Sequence, residues 1–133
     1  MKIGVMHLSD IHLSCAKDID HLYLSRAIES IKLLEEIEYL LIVISGDITS
    51  SGQKLQFEVA KEFLVHLRRY SIEILKIPSF NISWVLVPGN HDVESYDALD
   101  PVVVESSLSN GHLNTLIDFE RKRMFNFTEF SKE

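Results

Sequence analysis

Three short apolar runs, each ending abruptly in a cluster of Asp, His, Asn and Gly, constrain the fold of this chain more than any other feature. The first, Ile3 to Leu8, leads into Ser9-Asp10-Ile11-His12. The second, Leu40 to Ile44, is rich in β-branched residues and ends at Ser45-Gly46-Asp47. The third, Trp84 to Val87, is stopped by Pro88-Gly89 and followed by Asn90-His91-Asp92. Such runs predict buried strands, and one as apolar as the second suits a strand covered on both faces, as in a parallel sheet.

Between the runs lie stretches of helical period. Asp20 is placed to cap a helix striped by Leu24, Ala27, Ile28, Ile31 and Leu34. Ser50-Ser51-Gly52 reads as a turn, with either serine able to cap a second helix striped by Phe57, Ala60, Leu64 and Leu67. From Arg69 to Ser83 the period is lost and Pro78 intervenes, so this segment reads as a connection. A loop is expected from Tyr96 through Gly111, and a last helix from about Leu113 to Phe130. The order strand-helix-strand-helix-strand implies an α/β fold with parallel strands and right-handed crossovers.

Composition narrows the partners. The 133 residues make one domain or part of one, with no repeat and no dividing linker. Asp and Glu outnumber Lys and Arg by 20 to 13, for a net charge of -7, which disfavours a nucleic-acid-binding surface. A phosphate ester remains a suitable ligand, because bound cations supply positive charge locally. The one basic run, Arg121-Lys122-Arg123, reads as a solvated helix face. Cys15 is the only cysteine, so no internal disulfide forms. The run Met1 to Met6 is too short for a signal-peptide core. No stretch reaches the ~18 apolar residues of a membrane span. The expectation is a cytoplasmic protein with no membrane partner.

Ligand sites of open α/β sheets lie at the carboxyl ends of the strands. Three loops there would bring Asp10, His12, Asp47, Asn90 and His91 to one edge. Carboxylate, imidazole and amide oxygen together suit Mn, Fe, Zn or Mg. Asp10 and His12 are two positions apart and would point the same way on an extended segment. A carboxylate at Asp47 could bridge two ions about 3.5–4 Å apart. His7 reads as a packed strand residue, and His21 and His66 as surface residues of helices. Cys15 has no partner set for nucleophilic catalysis. Phe119, Phe125, Phe127 and Phe130 read as helix packing.

On these motifs the chain resembles the N-terminal part of the calcineurin-like metallophosphoesterase superfamily. Asp10-Ile11-His12 is similar to its Asp-x-His motif, Gly46-Asp47 to its Gly-Asp motif, and Gly89-Asn90-His91-Asp92 to its Gly-Asn-His-Asp/Glu motif. The spacings also fit, with 37 positions from Asp10 to Asp47 and 43 from Asp47 to Asn90. The resemblance implies the N-terminal half of a four-layer α-β-β-α sandwich. It implies two divalent metal ions, with Asp10 and His12 on the first, Asp47 bridging, and Asn90 on the second and on the substrate phosphate. His91 would give a proton to the leaving oxygen, Asp92 would orient His91, and metal-bound hydroxide would attack. The implied substrate is a phosphoester, a cyclic nucleotide or another small ester, cleaved as a phosphodiesterase or phosphomonoesterase.

The resemblance also has a limit. Family members carry a further His and a Gly-His-x-His pair downstream, whereas only 42 residues follow His91 here and His112 is the one His among them. Gly111-His112-Leu113-Asn114 has Asn where the second His belongs. Residues 1–133 are therefore expected to form the N-terminal portion of such a domain, with an under-covered sheet and weak activity alone. Self-association or a missing C-terminal half would complete it. The alternative is a non-catalytic truncated homologue or fragment that serves as a binding or interaction module.

Overall fold

The computed structural model describes residues 1–34, 36–93 and 125–132. Strands β1 (Ile3–Leu8), β2 (Tyr39–Ser45) and β3 (Ile82–Val87) form one parallel sheet in the order β1-β2-β3. Helix α1 (His21–Leu34) joins β1 to β2, and α2 (Lys54–Leu75) joins β2 to β3. A short helix, α3 (Phe125–Phe130), packs on α2. This is the α/β architecture with parallel strands that the alternation of runs implies. Strand β3 begins two residues earlier than its apolar run, at the buried Ile82.

The register sorts the side chains by face. Met6, Ile42 and Trp84 are aligned across the sheet, as are Leu8, Ile44 and Leu86. This face carries the core: Met6, Leu40, Ile42, Ile44 and Ile82 are buried together with Leu24 and Ile28 of α1 and Phe57, Ala60, Phe63 and Leu67 of α2. Each fully buried Leu, Ile or Phe contributes about 1.5–3 kcal/mol of transfer free energy. Among the described residues the opposite face carries no covering element. Ile3, Val5, Val85 and Val87 are 54, 62, 43 and 49% exposed, and Leu41 and Val43 are half-buried. The expectation that β2 is covered on both faces therefore holds for one face only among the described residues. The cause is that α1 and α2 pack on each other over the same side of the sheet.

Both helix starts follow from local hydrogen bonds. The Asp20 carboxylate accepts from the Tyr23 amide at 2.9 Å, the N-cap expected of it. Helix α2 has Gln53 at its N-cap with no side-chain cap, so neither serine fills that place. Instead the Ser51 amide and hydroxyl donate forward to Gln56 Oε1, at 2.9 and 3.2 Å. The far end of α2 also departs from the sequence reading, since the helix runs on to Leu75. Ser71 sits fully buried on the apolar stripe and donates its hydroxyl to the Leu67 carbonyl at 2.8 Å. The stripe is interrupted in sequence but continuous in space. Lys76 closes the helix in the left-handed conformation, φ 60°.

Helix α3 places Phe127 and Phe130 against Phe57, with ring centroids 6.2 and 5.1 Å apart. The Leu34 side chain, the loop from Tyr96 to Gly111 and the start of the last expected helix lie outside the described residues. Among the described residues no helix is long and apolar enough to cross a membrane.

Candidate metal centre

Backbone pairing continues past the ends of β1 and β2. The His12 and Leu13 amides donate to the Asp47 and Ile48 carbonyls, both at 2.9 Å, and the Ser50 amide returns to the Leu13 carbonyl at 3.2 Å. On the other side the Gly46 amide donates to the Val87 carbonyl at 2.8 Å. The three loops are thereby drawn to one edge of the sheet.

Two glycines allow that approach. A Cβ on Gly89 would collide with the Asp47 carboxylate and lie 2.5 Å from the Asp47 amide nitrogen. Gly46 has φ +90°, and a Cβ there would lie 3.1 Å from the Gly89 Cα. Asp10, His12 and Asp47 all adopt left-handed backbone, φ 54, 54 and 53°. Asp and His tolerate this region better than most residues, at a cost on the order of 1–3 kcal/mol each.

The result is a compact donor group. His12, Asp47 and His91 each present one ligand atom, and these atoms all lie within 4.8 Å of one another. The His12 and His91 rings meet edge to face, with centroids 4.9 Å apart and planes at 88°. Two imidazoles and a carboxylate fit Mn, Fe or Zn. The imidazoles are exposed and Asp47 is half-buried, so the group is open to a ligand. Asp10 and Asn90 occupy the flanking loop positions and are exposed, and Asp10 is not part of the three-donor group. His91, expected to be a proton donor, thus stands among the donors that could hold an ion.

Asp92 has different contacts from those expected. It is 1% exposed. Its Oδ1 accepts from the Thr49 amide at 2.7 Å and the Thr49 hydroxyl at 3.0 Å. Its Oδ2 accepts from the amides of Ile48 at 3.2 Å and Gly89 at 3.0 Å. These four donors fill the carboxylate's acceptor sites. The His91 ring instead places Nδ1 3.0 Å from the Ser50 carbonyl oxygen, and the His91 amide donates to Asp47 Oδ1 at 2.9 Å. Sequence reasoning missed both Thr49 and Ser50. The available signal was a pair of small hydroxyl residues just beyond Gly46-Asp47.

The remaining candidates fall elsewhere. The Cys15 amide, followed by that of Ser14, holds the Asp18 carboxyl below its usual range. Cys15 itself is exposed. His7 is exposed on the open sheet face and pairs with the Ser45 hydroxyl at 2.6 Å. His21 and His66 pack edge to face, centroids 4.5 Å apart, beside Tyr70 where α1 meets α2, so His66 is partly buried rather than a surface residue.

A sequence profile described as calcineurin-like phosphoesterase matches residues 3–131. No curated protein matches the chain.

Proposed function

The chain belongs to the calcineurin-like phosphoesterase family, and from that premise we propose that it is a metal-dependent phosphoester hydrolase with its ions held by the loops after β1, β2 and β3. The observation that carries this reading is the convergence of His12, Asp47 and His91 donor atoms within 4.8 Å at the carboxyl edge of the sheet. Divalent ions bound there would supply Lewis acidity toward a phosphoryl oxygen and an activated water at neutral pH.

The chain's own residues have distinct tasks in this reading. Asp47 would hold a divalent ion through its carboxylate. Its Oδ1 is fixed by the His91 amide, and a carboxylate retains further acceptor capacity after one such bond. His12 would hold an ion, and Asp10 and Asn90, exposed on the flanking loops, would be further ligands. His91 either completes the ligand set or protonates the leaving oxygen. Asp92 keeps the loops after β2 and β3 in contact. The substrate is a small phosphoester, with cyclic nucleotides included, and the net charge of -7 disfavours nucleic acid.

The open sheet face supports one further element, association with a second copy. Ile3 and Val5 on β1 and Val85 and Val87 on β3 are exposed there, on either side of the half-buried Leu41 and Val43 of β2, and apolar patches favour burial against a partner.

The test combines metal analysis with assays on phosphodiester and phosphomonoester substrates. Hydrolysis should require divalent metal, and Asp47→Ala should abolish it. His91→Ala should reduce turnover by ~10²–10⁴-fold if it acts as the acid, and should weaken metal binding if it is a ligand. Unimpaired hydrolysis by the Asp47 variant in the presence of chelator overturns the proposal. Metal binding by the wild-type chain with no hydrolysis of any ester favours the non-catalytic alternative.

A further inference from the structure

The side chain that controls His91 lies in another loop. A carbonyl oxygen only accepts, so the 3.0 Å contact from His91 Nδ1 to the Ser50 carbonyl puts the hydrogen on Nδ1. In the neutral ring the lone pair is then on Nε2. That leaves Nε2 as the nitrogen for the group shared with His12 and Asp47. The carbonyl that makes this choice follows directly after Thr49.

Thr49 is fully buried, and its side-chain hydrogen bonds all run within the loops after β2 and β3. Its amide and hydroxyl both reach Asp92 Oδ1, at 2.7 and 3.0 Å. The hydroxyl also lies 3.3 Å from the His91 carbonyl and accepts from the Gly52 amide at 3.1 Å. The hydroxyl therefore touches the backbone of His91, the carboxylate that fastens the loops, and the turn that follows Ser50.

We infer that Thr49 is a positioning residue: by fixing the Ser50 carbonyl against His91 it selects the Nδ1–H tautomer and leaves Nε2 free for the His12–Asp47 group. The bearing on turnover rests on the phosphoesterase reading; the bearing on the tautomer does not. Partners of this kind, which orient a ligating histidine through its other nitrogen, alter affinity or activity by about 10–100-fold when removed.

The experiment compares wild type, Thr49→Val, Thr49→Ala and Thr49→Ser in the full 133-residue chain. Side-chain ¹⁵N NMR of the metal-free protein reads the His91 tautomer, and steady-state kinetics with added Mn or Zn reads hydrolysis of a chromogenic phosphodiester. Wild type should show one tautomer, with hydrogen on Nδ1. The valine variant should show a mixture, with kcat lowered by about 10–100-fold and KM little changed. Serine, which keeps the hydroxyl, should restore both readouts. Alanine leaves the amide bond to Asp92 in place and serves where valine does not fold. A His91 that stays wholly in the Nδ1–H form in the valine or alanine variant overturns the inference, as does a folded serine variant that behaves like alanine. If wild type hydrolyses nothing, the phosphoesterase reading fails, and the tautomer comparison still decides the role of Thr49.

Discussion

Asp92 receives two hydrogen bonds on each carboxylate oxygen while only 1% exposed. Truncating it would leave the amides of Ile48, Thr49 and Gly89 without their acceptor, at about 1–3 kcal/mol for each buried group. Asp92→Ala should therefore lose several kcal/mol in urea denaturation. An unchanged unfolding midpoint would mean that the carboxylate acts only in chemistry. At this scale the sequence was informative about place and less so about role. Asp-x-His, Gly-Asp and Gly-Asn-His-Asp marked the three loops, because the residues that terminate apolar strands are visible in a linear pattern. The partner of the His91 ring was not visible, since it is a backbone carbonyl 41 positions away with no side-chain signature. The duty of Asp92 was hidden for the same reason, because three of its four donors are backbone amides.

Helix α2 contributes Phe57, Ala60, Phe63 and Leu67 to the core, and its two ends are built unlike each other. The start is held by Gln56 accepting from Ser51, which inverts the serine cap suggested by the residue types. The end is a lysine at φ 60°, ψ 26°, where glycine is the ordinary choice. Lys76→Gly removes a strained Cβ and should raise stability by about 1 kcal/mol, seen as a higher thermal midpoint. No change, or a loss, would show that the Lys76 side chain compensates for the backbone. The strands and the start of α1 were legible because apolar runs and the Asp20 cap are local signals. The last turns of α2 were not, because Ser71 looks like a break until its hydroxyl is seen bonded to Leu67 within the core.

For the molecule as a whole, one face of the sheet is packed and no described residue covers the other. Ile3, Val5, Val85 and Val87 are close to half exposed or more, and apolar patches of this kind promote association. Sedimentation velocity should show a weight-average size that rises with concentration, and replacing Val5 and Val85 with lysine should suppress the rise while sparing metal affinity. A chain that sediments as a monomer at every concentration refutes the association proposed for that face. The three left-handed residues in and beside the candidate metal centre set up a different opposition. Asp10, His12 and Asp47 occupy backbone geometry that glycine would accept without strain. Two laboratory lineages of this gene should therefore drift apart. One sorted only for survival of heat should accumulate glycine at positions 10 and 12, each gaining on the order of 1 kcal/mol, and should keep Asp47, whose carboxylate accepts from the His91 amide. One sorted for phosphoester turnover should keep all three residues and remain the more fragile, because side chains that would grip the ions sit on left-handed backbone.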